Sequence, residues 1–201
     1  MLLNIIHPYI YKVHGDTLKT GPIEEFNERD KRINTFVNTA LNSNVEVLLH
    51  KYHREFFLEC LEKVAFESDS LFNFMSNPKI EKITTNSYGC PIPDEKPEEL
   101  SKDISSEDWA EYKKTFISHS ELKDKIKGHD KILFIGGVLE SCVANVSNYF
   151  HKFYREENQN LFYVKDLCVS RDNDLWNSTK HKLDEANIKN LDYDSAIKLF
   201  N

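Results

Sequence analysis

The chain has 201 residues, of which 40% are hydrophobic, 12% aromatic and 29% charged, a composition that fits a packed globule and excludes a disordered chain. Twenty-six basic residues against 33 acidic ones leave a formal net charge of −7, which argues against general nucleic-acid or anionic-membrane binding. The longest apolar stretches, such as Leu2–Ile6 and Lys131–Val138, fall far short of the roughly 20 residues a membrane helix needs.

The first residues lack the basic start and long apolar core of a secretory signal. Four cysteines, Cys60, Cys90, Cys142 and Cys168, are widely spaced without a CxxC pair. That spacing suits free thiols in a cytoplasmic protein better than a disulfide framework or a structural zinc site. Leu2–Ile6, stopped by His7-Pro8, reads as a buried strand. Pro22 opens a segment with apolar residues at Ile23, Phe26, Ile33, Phe36, Val37, Ala40 and Leu41, the spacing of an amphipathic helix. Val45–Leu49 reads as a second strand, and Phe56–Met75 is apolar again at helical spacing.

Four of the six prolines fall between residues 77 and 108. This stretch reads as a long excursion or lid within a single domain spanning residues 1–201. Trp109–Lys113 reads as a short strand and Ser120–Lys127 as a short helix. Lys131–Ile135 is the clearest strand, running through Gly136-Gly137 into a helix that carries Val143, Val146, Tyr149 and Phe150. Leu161–Val164 is a further strand and Trp176–Ala186 a further helix. Strands alternating with helices across short turns imply a mainly parallel sheet covered on both faces.

Chemistry is expected around Cys142. It follows a strand and two glycines and opens a helix, the place where parallel sheets bind ligands. Unpaired amides and the helix dipole there favour a thiolate and would hold an oxyanion. The alternative is a buried structural cysteine.

Gly137-Val-Leu-Glu-Ser-Cys-Val143 resembles the cysteine signature of the isochorismatase-like hydrolases, the superfamily that includes nicotinamidases. Leu2–Pro8 is similar to the first strand of that family. Lys113-Lys-Thr-Phe116 resembles its Lys-x-x-Phe/Tyr segment, and Phe162–Asp166 with His181 its final strand, aspartate and helix. The resemblance implies a three-layer α/β/α sandwich of Rossmann type. It also implies a small-molecule substrate, no cofactor, and a homo-oligomer, dimer or tetramer. By motif, Cys142 is the nucleophile and Lys113 the charge-stabilising lysine, against the alternative of a solvated surface lysine. A cis peptide before Leu139 is implied, with Val138, Leu139 and Cys142 forming the oxyanion region. His53, Tyr52 and Phe116 are the implied substrate contacts.

Two departures stand out. His7 occupies the position of the family's strand-end aspartate, as a base replacing it or as a structural histidine; Asp16 is the nearest acid. Lys51, in His50-Lys-Tyr-His53, replaces a metal-binding aspartate, so no metal is expected by that scheme. The sequence therefore supports two functions. One is a cysteine hydrolase cleaving a C–N bond of a small amide or related metabolite; the other is a non-catalytic or altered relative that binds a metabolite or serves in assembly.

Overall fold

The structure is a computed structural model that describes residues 1–8, 23–52, 73–86, 88–98, 104–170 and 173–200. Its centre is a six-stranded sheet in the order β3-β2-β1-β4-β5-β6, every neighbouring pair parallel. The strands are β1 (Leu2–Ile6), β2 (Glu46–Tyr52), β3 (Ile80–Thr85), β4 (Lys131–Gly137), β5 (Asn160–Val169) and β6 (Ile188–Leu191). The helices are α1 (Ile23–Asn42), α2 (Ser106–Thr115), α3 (His119–Ile126), α4 (Ala144–Phe153), α5 (Asn173–Glu185) and α6 (Tyr193–Lys198). α1 packs against β2, β5 and α6, whereas α4 packs against α5. The helices thus pair off in the two layers of an α/β sandwich.

β1 is buried along its whole length between β2 and β4, which is why it reads as one apolar run. Leu3, Ile5 and Ile6 are wholly enclosed, each contributing about 1.5–3 kcal/mol by burial. Ile33, Phe36, Val37 and Ala40 put the apolar stripe of α1 into the same core. Phe74 belongs to that core too, but 53–72, with most of the phenylalanine-rich segment and Cys60, lie outside the described residues.

Three places differ from the sequence reading or add to it. Trp109–Lys113 is helical. Ser105 caps α2 by accepting the Asp108 amide, and Glu107 and Asp108 near its start and Lys113 and Lys114 near its end suit the helix dipole. Second, the stretch read as a lid at 77–108 contains β3, whose burial pattern is broken by Glu81 and Lys82 because it lies at the sheet edge. Third, the chain after Ala186 adds β6 and α6, two elements too short to show a period. α3 matches its expected position, with a reciprocal capping box between Ser118 and Glu121.

Candidate active site

The strand order reverses between β1 and β4, and in parallel sheets the crevice beyond the carboxyl ends at such a reversal is where ligands bind. His7 follows β1 there, and the turn carrying Cys142 follows β4. Gly136 makes their junction close. It has φ +117°, and a Cβ built on it would stand 1.9 Å from the Ile6 carbonyl oxygen. Only glycine fits.

Beyond β4 the Gly137–Val138 peptide is cis. The resemblance placed a cis bond before Leu139; it lies one residue earlier, where β4 ends and the chain turns. Leu139–Val143 then forms a π-helical turn leading into α4, with the Val138 carbonyl accepting from the Ser141 and Val143 amides. Val138, Leu139 and Cys142 are all buried in this turn. Glu140 accepts the Ser170 hydroxyl from the end of β5, tying the turn to its neighbour strand.

His7 is fully buried and has φ +37°, a backbone conformation that costs a non-glycine residue about 1–3 kcal/mol. Its Nε2 lies 3.3 Å from Thr85 Oγ1, and that hydroxyl donates its one proton to the Lys51 carbonyl, also at 3.3 Å. Thr85 can therefore only accept from His7. Nε2 carries the ring proton and Nδ1 the basic lone pair. Burial, and then the neighbouring His50, hold the His7 pKa well below its ordinary value, so the ring is neutral.

His50, also fully buried, places Nδ1 3.0 Å from the Gly89 carbonyl and Nε2 3.1 Å from Asn4 Oδ1. Burial lowers its pKa to about 4, against the opposing hydrogen bond from Gly89. A neutral ring has one proton, which goes to the carbonyl. Nε2 is then an acceptor, which the Asn4 side chain satisfies with its amide turned over, so that its nitrogen, otherwise without a partner among the described residues, faces the ring in place of Oδ1. Both ring nitrogens are thus engaged. With both nitrogens engaged, His50 offers no lone pair to a divalent ion; among the described residues no group of three or more His, Cys, Asp or Glu gathers for a metal.

Gly89 belongs to a turn that Asn86 closes. Asn86 donates its amide to the Cys90 carbonyl at 3.0 Å, and its side-chain oxygen accepts from the Tyr88 and Cys90 amides. A Cβ on Gly89 would meet Val146 at 2.7 Å and the His7 ring at 3.5 Å, so this turn lies against both β1 and α4. Cys90 lines a cleft of about 340 Å³ with Asn145, Tyr149, Tyr88 and Phe153. Burial, and then Cys142, push its thiol up to about 12.

The other expected site residues are placed as follows. Lys113 is exposed on α2, its ammonium 2.6 Å from the Asp94 carbonyl oxygen. Phe116 is buried with Ile92 and Trp109 in a small separate cluster, its ring 4.2 Å from that of Tyr112. Tyr52 ends β2; its side chain, His53 and Asp16 lie outside the described residues. Asp166 accepts from the Tyr193 amide at 3.4 Å, and exposed His181 faces Glu185. Sequence reasoning missed Asn4, Thr85, Gly89 and Cys90. Asn4 alone carried a signal, as the one polar residue inside an apolar strand. It also missed buried Arg29, which donates to the Pro8 carbonyl at 2.8 Å and fixes the chain just past His7.

No family model and no curated protein matches the chain. Solved structures do. The YcaC gene product of Escherichia coli, an octameric hydrolase of unknown specificity, is 13% identical over 98% of this chain and 76% of its own, with a TM-score of 0.56. A MAR1 ribonuclease of Caenorhabditis elegans is 9% identical over 98% and 78%, with a TM-score of 0.60. A pyrazinamidase of Pyrococcus horikoshii, solved with zinc, is 10% identical over 95% and 98%, with a TM-score of 0.57. The fold is that of the isochorismatase-like hydrolases.

Proposed function

We propose that this protein is a cysteine hydrolase that cleaves a C–N bond of a small amide or related metabolite through a covalent intermediate on Cys142. The observation that carries the reading is the placement of His7 and Cys142 past the carboxyl ends of β1 and β4, at the strand-order reversal. His7, protonated on Nε2 by its contact with Thr85, takes the Cys142 proton at Nδ1. The sulfur attacks the carbonyl carbon, and amides of the turn at Val138, Leu139 and Cys142 hold the oxyanion. His7 returns the proton to the leaving nitrogen as the C–N bond breaks. Water, giving its proton to His7 Nδ1, then attacks the thioester carbon; the C–S bond breaks and the proton returns to the Cys142 sulfur. Tyr52, His53 and Phe116 remain the proposed substrate contacts.

The proposal extends to a cytoplasmic homo-oligomer. The octameric state of the E. coli neighbour supports assembly, as do Tyr88 and Phe153, large and exposed on the rim of the Cys90 cleft. No described helix is long and apolar enough to cross a membrane.

A non-catalytic binding protein is the second reading, favoured by one observation. Lys113, the lysine that the mechanism would use beside Cys142, is exposed and bound to the Asp94 carbonyl. Alkylation of Cys142 against pH, read by peptide mass spectrometry, separates the two. An apparent pKa below the ordinary value of about 8.5, raised in His7→Ala, supports the hydrolase. If Lys113→Ala raises it too, the lysine reaches the site in solution. An unshifted thiol that ignores both substitutions favours the binder.

A further inference from the structure

α4 and the π-helical turn before it present Cys142, Asn145, Val146 and Tyr149 at offsets of three, four and seven residues, the spacing of one helical face. The turn at 86–90 lies on that face. Gly89 packs against Val146, and Cys90 shares its cleft with Asn145 and Tyr149. Asn86 holds the Cys90 backbone through both its amide and its carbonyl, which sets residue 90 beside that face. Burial, and then the nearby Cys142, raise the Cys90 pKa. Cys168 belongs elsewhere. It lies on β5 with its thiol donating to the Val164 carbonyl at 3.3 Å.

We propose that Cys90 is a resolving thiol, which closes a reversible disulfide with Cys142 when a peroxide oxidises the Cys142 sulfur. Thiolate on Cys142 attacks the peroxide O–O bond, giving a sulfenic acid and releasing hydroxide or alkoxide. The Cys90 sulfur then attacks the sulfenic sulfur, the S–S bond forms, and the Cys90 proton leaves with the hydroxyl as water. Two thiols are oxidised by two electrons and one peroxide is reduced. Because its thiol is held protonated, Cys90 serves as the resolving partner rather than the first sulfur attacked. A disulfide needs the two Cα atoms within about 7 Å, and the turn that carries Cys90 already packs on the Cys142 helical face where Gly89 meets Val146. The consequence, reversible loss of turnover in place of irreversible over-oxidation, rests on the reading of Cys142 as nucleophile. The bond itself does not.

The test treats the reduced full-length chain with hydrogen peroxide and reads intact mass and linked peptides. The wild-type protein is expected to lose two hydrogens, give a Cys90–Cys142 peptide pair, and recover its mass with dithiothreitol. Cys90→Ser and Cys90→Ala are expected to accumulate oxygen on Cys142 instead. Sulfinate on wild-type Cys142 forming as fast as in those variants overturns the proposal, as does a bridge to Cys60 or Cys168. Should the bridge form while Cys142→Ala keeps full turnover of a substrate, the redox pair stands and the hydrolase reading falls.

Discussion

The two buried histidines make stability depend on pH in a way that can be worked out. His50 has an ordinary pKa of 6.5 and a folded value of about 4. Above pH 6.5 both folded and unfolded chains hold it neutral, and it costs nothing. As the pH falls from 6.5 towards 4 the unfolded chain takes up a proton that the folded chain refuses, so unfolding becomes easier. At about 1.4 kcal/mol per pH unit of difference, His50 removes about 3 kcal/mol of stability by pH 4. His7 is lowered in the same direction; His129 and His151 are too, but less enclosed. Replacement His50→Asn isolates the effect, because an Asn amide nitrogen stands near the former Nδ1 and keeps a donor for the Gly89 carbonyl. The variant loses the contact to Asn4, about 1 kcal/mol at pH 7.5. It also removes the neighbour whose protonation in acid opposes that of His7. Urea unfolding from pH 7.5 to 4.5, with linear extrapolation, should show the variant starting less stable and the gap closing or reversing on acidification. Parallel curves with a constant gap would refute the assignment of His50 as a buried neutral imidazole.

Other consequences follow from contacts at the strand ends. Thr85→Val leaves the buried His7 Nε2–H without its acceptor and should cost about 1–3 kcal/mol in denaturant unfolding, with Thr85→Ser restoring it. In the hydrolase reading the same pair of variants should respectively disturb and restore the pH profile of kcat/KM. Gly136→Ala places a Cβ against the Ile6 backbone at φ +117°. Expression in inclusion bodies, or a loss of at least about 4 kcal/mol in a soluble variant, is the expected result. Wild-type stability there would contradict the β1–β4 junction described above.

How far the site was legible depends on the range of the forces that make it. Gly136-Gly137 ahead of Cys142 marks a strand end turning into a helix, and that local pattern located the cysteine correctly. Lys113 shows the opposite case. Its neighbours Trp109 and Tyr112 favour a strand by propensity, yet the Ser105 cap and the acid-to-base order of α2 favour a helix. The helix puts the lysine on an exposed face. A motif match carried the residue type but not its direction.

The sequence by itself determined the core of the sheet, because strands buried on both faces are almost continuously apolar, as Leu2–Ile6 is apart from Asn4 and Lys131–Val138 is after its first residue. It determined the periodic face of α1 for a similar reason. Only the tertiary structure decided which groups surround His7 and Cys142. Thr85 reaches His7 across 78 residues and Gly89 reaches His50 across 39, contacts that leave no period or spacing in the chain. They arise because β3 and its following turn, within a proline-rich stretch, are drawn to the sheet edge by pairing with β2. Hydrogen bonds between distant segments are set by strand order, and strand order is a property of the whole packed sheet.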